Sequence, residues 1–196
     1  MLMLRGCECS RHESNRSPSR CRGCQRLLSR AIDAYTDFHN GQNPGRVVVH
    51  KSSRFWEEEL TGFNTALADI PRHDLIAIDF QDQRFMRLGS KPPLRGTVVT
   101  LADGHHLVWT TGYVPKLREY PGMRVPKPLE IMEHIGHSTA ETICREILSL
   151  TKVNWNSCAF ASGEPITLLF ARTVGRILAE LPPGTDPPQK KYKFYM

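Results

Sequence analysis

The spacing of apolar residues in the first half of the chain predicts a helix followed by a strand, a helix and a second strand. Apolar residues recur at helical spacing over 27–38, and Asn40-Gly41 provides a stop signal. A β-branched run at 46–50 and an apolar run at 75–78 are typical of buried strands, and an amphipathic helix is predicted between them over 54–69. This order indicates a βαβ unit with parallel strands.

The middle of the chain has the pattern of antiparallel strands. Short strands are predicted over 84–88, 96–101 and 105–111. The last two are separated by a turn containing Asp103-Gly104, a pair that favours a tight hairpin.

The last third is predicted to contain a loop and two helices. Prolines and glycines mark 115–130 as a loop, and amphipathic helices follow over 139–150 and 166–181. Ser138, three residues before Glu141, has the spacing of a capping box, and His134 and His137 are interpreted as loop or capping residues. Together the elements predict an α/β fold in which a mixed sheet is flanked by helices.

The composition is that of a folded globular protein, and most of the net positive charge lies in the first 30 residues. The 196 residues are 40% hydrophobic and 23% charged, the balance of an ordinary globular domain. The net charge is +6, but residues 1–30 hold seven arginines against two glutamates, which leaves about +1 for the rest. The sequence has no apolar run of transmembrane length and no secretory signal, so a cytoplasmic protein without a membrane partner is expected.

Residues 1–26 differ in texture from the remainder and are predicted to be a disordered leader rich in arginine, serine and cysteine. Cys7, Cys9, Cys21 and Cys24 form a C-x-C and a C-x-x-C pair, so four thiolates could surround a tetrahedral zinc ion. A zinc-linked regulatory or interaction module is therefore kept as one alternative function. The other interpretation of these cysteines is that the leader has no site.

Carboxylates and histidines give little indication of catalysis. Two-metal phosphodiester chemistry needs several converging carboxylates, and Asp79 at the end of the 75–78 strand is the best candidate. A strand-end aspartate is more often a turn residue. The adjacent His105 and His106 point to opposite sides of a strand, so they do not chelate one ion as a pair.

The segment 150–157 alternates polar and apolar side chains. In an extended conformation Lys152, Asn154 and Asn156 would present donors on one face, which suits phosphate and sugar oxygens. A half-buried edge strand with a polar face is the alternative interpretation.

A series of motifs lies in order between about residue 27 and residue 196. They are RVVVHKSS (46–53), LRGT (94–97), WTTGYVP (109–115), YPG (120–122), VPKPL (125–129), LTKVNWNS (150–157), the stretch 165–175 and the aromatic tail 192–196. With these motifs, residues from about 27 to 196 resemble the C-terminal half of the PIWI domain of prokaryotic Argonaute proteins. Residues 1–26 have no counterpart in the family, so 27–196 is expected to be the C-terminal portion of a PIWI domain.

The resemblance implies an RNase H-like fold that holds a short guide strand, RNA or DNA, paired with its complementary target. It assigns guide-backbone contacts to Lys152, Asn154 and Asn156, and a second basic motif to Arg95 and Thr97. It also implies a MID domain that grips the guide 5′ phosphate. The C-terminal carboxylate of Met196 would share a divalent cation, Mg²⁺, with that phosphate, because a cation between two anions removes their repulsion.

The resemblance also bears on cleavage. Cleaving members carry an aspartate at the end of the 47–49 strand and a His, Asp or Asn early in the last long helix, where this chain has His50-Lys51 and, by alignment, Arg172. Cations there would repel the metal pair, so the chain is expected to be catalytically inactive and Arg172 to contact nucleic acid. An active guided endonuclease, with carboxylates supplied by segments outside this chain, is the second alternative.

The family's MID domain and the first half of its PIWI domain would precede residue 27. The expectation from the sequence is that the chain is a fragment of an interrupted Argonaute gene. Half of an RNase H-like sheet is expected to leave a strand edge uncovered.

Overall fold

A computed structural model describes residues 18–80, 93–119, 125–154 and 162–182, with only the backbone at 18–20. In this part of the chain, four α-helices, five strands and one 3₁₀ turn follow one another. Their bounds are α1 (Pro18–Phe38), β1 (Val47–Lys51), α2 (Glu57–Ala66), β2 (His73–Phe80), β3 (Val98–Thr100), β4 (His106–Val108), the 3₁₀ turn Pro115–Leu117, β5 (Leu129–Gly136), α3 (Ala140–Leu150) and α4 (Ile166–Ala179).

The five strands form one mixed sheet in the order β1-β2-β5-β4-β3. β1 and β2 are parallel and are joined through α2, which confirms the predicted βαβ unit. β3 and β4 form the predicted antiparallel hairpin, and Gly104 in its turn has a φ of 85°. The predicted strand at 84–88 lies outside the described residues.

The helices cover the two faces of the sheet in pairs. One core cluster joins α1 and α2 to Val47, Leu75 and Ala77 of the sheet. The other joins α3 and Leu168 of α4 to the opposite side of the same strands, including Ile76 and Ile78. Alternate residues of β2 thus fill different cores, as the period of two in a strand requires. The α/β fold with a mixed sheet flanked by helices is confirmed.

α1 begins earlier than the apolar pattern predicted. It starts at Pro18, a residue favoured in the first turn because it lacks an N–H and has a fixed φ. Cys24, Leu28 and Ile32 form one inward row four residues apart, and all three are buried. The division expected between 26 and 27 therefore falls inside α1, and residues 18–26 are helical. The predicted stop is confirmed, since Asn40 and Gly41 both have positive φ.

β5 was not predicted as a strand. Its residues had been assigned to the loop 115–130 and to loop or capping positions around His134, but they form the strand between β2 and β4. A bulge at Met132 shifts the register between Ala77 and Ile78, so the period of two is broken in the middle of the strand. Glu130 also points inward, where His105 Nδ1 lies 2.5 Å from its Oε1.

The capping box predicted at Ser138 is also wrong. Thr139 caps α3, because its Oγ1 accepts from the N–H of Thr142 at 3.3 Å. Ser138 instead donates its hydroxyl to Asp74 Oδ2 at 2.7 Å. The hydroxyl of Ser138 thus donates to a carboxylate on β2, that of Asp74, and not to the backbone of α3.

Candidate nucleic-acid interface

Two of the predicted binding segments meet at the side chain of Arg95. Its Nε donates to the carbonyl oxygen of Thr110 and its Nη2 donates to Thr151 Oγ1, each at 2.7 Å. Burial lowers the pKa of this guanidinium, but an arginine keeps its charge at neutral pH. Thr151 immediately precedes Lys152 in the chain, so the contact of Arg95 with Thr151 brings Arg95 close to Lys152.

The backbone around Arg95 is held from both sides. The N–H of Arg95 donates to the carbonyl oxygen of Tyr113 at 3.1 Å, and that of Gly96 donates to Trp109 at 2.8 Å. Gly96 has a φ of 87°, and a Cβ there would lie 3.1 Å from a methyl group of Leu148 in α3. This close approach, which favours glycine, seats the 94–97 segment against the end of α3.

Lys152 lies on a turn and not on a strand. Its N–H donates to the carbonyl oxygen of Ser149 at 3.0 Å, so residues 150–152 close α3. Thr151 is buried, with its hydroxyl donating to Leu148 O at 2.6 Å, whereas Lys152 is exposed. The extended conformation predicted from residue 150 is therefore wrong at its start. A lysine at this position also complements the negative end of the helix dipole.

The other predicted contact residues are less exposed or lie elsewhere. Thr97 is half-buried, and its carbonyl oxygen accepts from the N–H of Trp109 at 2.9 Å. Asn154 is half-buried after the turn at Lys152. Asn156 and Met196 lie outside the described residues.

Arg172 is exposed on the middle of α4 and pairs with a carboxylate on the preceding segment. Its Nη1 lies 2.5 Å from Glu164 Oε1. The residue of α4 that meets the end of β1 is Thr167, whose Oγ1 lies 2.8 Å from His50 Nδ1. The position early in the last helix that faces the strand end is therefore occupied by Thr167 and not by Arg172.

The end of β1 is closed by buried partners. His50 is buried, and this desolvation lowers its pKa to about 4, so the imidazole is neutral at pH 7. The ammonium of Lys51 forms a buried ion pair with Glu59 and donates to the carbonyl oxygen of Arg54 at 2.9 Å. The cation expected at this strand end is the ammonium of Lys51, and the carboxylate of Glu59 balances its charge inside the protein.

The candidate metal ligands do not assemble in the described part of the chain. Asp79 is exposed within β2, and its Oδ1 accepts from the N–H of the next residue, Phe80, at 2.8 Å. Across the described residues, no three His, Cys, Asp or Glu side chains are placed to hold a metal ion. Cys21 and Cys24 lie on α1, the second of them buried in the core, while Cys7 and Cys9 lie outside the described residues.

Sequence reasoning missed the buried carboxylate of Asp74. It accepts from Arg46 Nη2 at 2.8 Å, from His134 Nε2 at 2.9 Å, and from the backbone and hydroxyl of Ser138. Burial alone would raise the pKa of Asp74, but the bonds from His134, Ser138 and Arg46 outweigh it and hold the pKa well below its usual range. The signal in the sequence was a charged residue directly before the apolar run 75–78.

None of the described helices has the length and apolarity needed to cross a membrane.

Comparison with known proteins gives matches at the level of structure. No family model matches the chain, and no curated protein matches its sequence. Argonaute from A. aeolicus matches with a TM-score of 0.55 and 19% identity, over 85% of this chain and 23% of that one. Aa-Ago with externally bound siRNA matches with a TM-score of 0.60 and 21% identity, over 85% of this chain and 22% of the other.

A third match comes from a different organism. Marinitoga piezophila Argonaute, in complex with a 5′-hydroxyl guide RNA, gives a TM-score of 0.55 and 18% identity, over 88% of this chain and 23% of that one. The chain thus spans less than a quarter of the length of each. At these identities the likeness concerns the fold: the chain has the α/β architecture of part of a prokaryotic Argonaute, in agreement with the RNase H-like PIWI fold expected from its sequence motifs.

Proposed function

We propose that this chain is the part of an Argonaute-like protein that holds the backbone of a short guide strand paired with its target, without cutting either. The observation that carries the proposal is the contact of Arg95 with Thr151, which unites two sequence segments that were separately assigned to the guide channel. Backbone contacts of this kind are independent of sequence, and base pairing supplies the specificity.

The two cations at this place have different tasks. Arg95 is half-buried and uses Nε and Nη2 on Thr110 and Thr151, so it fixes the position of the turn. Lys152 is exposed on that turn, with no ion pair among the described residues, and is available to a phosphate. An ammonium acts on phosphate as a mobile point charge, which suits an irregular single strand.

The test of the proposal is the salt dependence of binding in Lys152→Ala. Loss of one phosphate contact on a single strand lowers the slope of log K against log salt by about 0.7. Arg145→Ala is the matched control, because Arg145 is exposed on α3 and its loss changes the net charge equally. Equal effects of the two substitutions would contradict a guide site at Lys152.

The absence of cleavage is supported by what occupies the end of β1. A two-metal mechanism requires carboxylates at this place, and the side chains are a neutral His50 bonded to Thr167 and a Lys51 bonded to Glu59. Incubation with a guide, a labelled complementary target and Mg²⁺ or Mn²⁺ is expected to leave the target intact. A discrete product cut at one phosphodiester would overturn this part of the proposal.

The partners of the proposed function are a guide of RNA or DNA, a complementary target and a MID domain outside this chain. A Mg²⁺ ion between the Met196 carboxylate and the guide 5′ phosphate belongs to the same proposal and rests on the family resemblance. Adding residues after Met196 displaces that carboxylate, so it should reduce any preference for a 5′-phosphorylated guide over a 5′-hydroxyl guide. An unchanged preference would remove Met196 from the site.

A further inference from the structure

The first two thirds of α1 present a row of arginines that the proposed guide site does not use. Arg22, Arg26 and Arg30 are spaced four residues apart and are all exposed. We call these three residues the arginine stripe. Four residues advance a helix by about 6 Å, so the stripe is about 12 Å long.

The stripe is held on a folded surface. The residues that follow the arginines by two positions, Cys24 and Leu28, are buried in the core that α1 shares with α2. An offset of two residues is about 200° around a helix, so the core contacts of α1 direct the arginines away from the protein. The helix is fixed by its inner row, and the outer row is left to solvent.

The charges of the stripe are not neutralised within the described structure. None of the three guanidiniums has an ion pair among the described residues, and the first turn of α1 has no acidic residue. The acidic residues of α1, Asp33 and Asp37, follow the stripe on the C-terminal side. Three like charges in one row repel each other, so a polyanion that bridges them is bound favourably.

The stripe and the guide site lie on opposite sides of the sheet. α1 packs with α2 against one face, while Lys152 follows α3, which packs against the other. One short stretch of nucleic acid cannot lie against both places without passing around the protein. The stripe is therefore a separate surface.

We propose that the arginine stripe is a second nucleic-acid-binding surface, which holds the sugar-phosphate backbone of nucleic acid outside the guide site. Guanidiniums form paired hydrogen bonds with phosphate oxygens, and a row of them follows a strand without reading its bases. A membrane surface fits the stripe less well. A helix that lies in a bilayer inserts its apolar face, and the apolar face of α1 is already packed against α2.

The test is the binding of a fluorescein-labelled oligothymidine of about 30 nucleotides, measured by anisotropy at several salt concentrations with the full chain. In the variant with all three stripe arginines changed to Gln, the slope of log K against log salt should fall by about 2, as expected for three contacts on a single strand. Between about 50 and 200 mM salt, the wild type should then lose about twentyfold more affinity than the variant.

Two control variants separate the stripe from general charge. Changing Arg72, Arg145 and Arg176 to Gln removes the same charge from exposed places that form no row, and it should leave most of the slope in place. Changing the stripe arginines to Lys keeps the charge and should also keep most of the slope. Helix content measured by circular dichroism should be equal in all variants, because the inner row of α1 is untouched.

The outcomes distinguish this surface from the guide site. An equal loss on removing the stripe in the wild type and in a Lys152→Ala background supports two separate sites. If the stripe variant and the dispersed control lose the same affinity, or if neither loses any, the proposal is overturned. Loss of binding to phosphatidylserine vesicles with unchanged oligothymidine binding would overturn it in favour of a membrane surface. An effect of the stripe without any effect of Lys152 would contradict the guide site alone.

Discussion

Gly62 of α2 lies directly against the backbone of Cys21 in α1, so that a Cβ added at Gly62 would collide with the carbonyl oxygen of Cys21. The two helices meet here with no side chain between them. This contact ties the first turns of α1 to the fold.

Gly62→Ala is therefore expected to destabilise the protein, by about 1–3 kcal/mol, because the backbone of α1 must move to admit the methyl group. Gly23→Ala is the matched control in α1, where a Cβ meets no atom within 4 Å. That substitution should stabilise by about 0.5–1 kcal/mol, since alanine favours the helix. Urea unfolding measures both changes, and equal effects would show that α1 does not pack as described.

Asp74→Asn should cost about 1–3 kcal/mol of the free energy of unfolding, because buried hydrogen-bond donors lose their acceptor. The substitution keeps the shape of the side chain, and Arg46 keeps its second carboxylate partner, Glu146, but the amide cannot accept all the hydrogen bonds from His134 and Ser138. Asp79→Asn is the control, because Asp79 is exposed in the same strand. A cost below that of the control would contradict the role of Asp74.

Stability is expected to decrease as the pH falls from 6.5 to about 4, because of His50. The unfolded chain takes up a proton near pH 6.5, whereas burial delays protonation in the folded state to about pH 4. The loss is at most about 3 kcal/mol, and His50 contributes no pH dependence well above 6.5.

The measurement is the free energy of unfolding against pH for the wild type and His50→Asn. The asparagine amide can replace Nδ1 in the contact with Thr167 without titrating, so the slope between pH 6.5 and 4 should become smaller. Asp74 acts in a separate window: its lowered pKa stabilises the fold above 3.8, and that stabilisation is lost below. A slope that persists in His50→Asn would assign it to another group.

Arg95→Ala should lower both stability and binding, whereas Lys152→Ala should lower binding and cost at most about 0.3–1 kcal/mol of stability through the helix dipole. Loss of Arg95 leaves the carbonyl oxygen of Thr110 and the hydroxyl of Thr151 without their donor, at a cost of about 1–3 kcal/mol. Arg95→Lys keeps the charge but provides one donor group where two are used. We expect its melting temperature to lie between those of the wild type and Arg95→Ala. A variant as stable as the wild type would mean that the two separate donors of the Arg95 guanidinium are not needed.

The parts of the fold that were predicted from sequence are those with one uninterrupted pattern. β1 and β2 are short uninterrupted apolar runs and α2 has apolar residues at helical spacing, so each was identified from its own sequence, and their order identified the parallel pair. β5 was not predicted as a strand, because the bulge at Met132 breaks the alternation of apolar and polar residues and because Glu130 is buried. A strand whose buried carboxylate pairs with a residue far away in the chain, as Glu130 pairs with His105, cannot be found from its own sequence.

The candidate site was predicted in part for a similar reason. Arg95 and Lys152 were identified from their motifs, and the structure brings the two segments together through Thr151. The helix was predicted to end at residue 150, as α3 does, but the turn that closes it over 150–152 has no pattern of its own in the sequence, so the conformation at Lys152 was not predicted. The pairing of His50 with Thr167 joins residues far apart in the chain, and no local pattern indicates it.

The position of β5 has a consequence for the order in which the protein folds. β1, α2 and β2 form one local unit and the β3–β4 hairpin forms another, and β5 is the strand that lies between them. During synthesis the two units are complete before residues 129–136 exist, so the sheet cannot become continuous until its central strand is inserted last. Closing two long loops in one step is slow, and until then both inner edges are open to other chains.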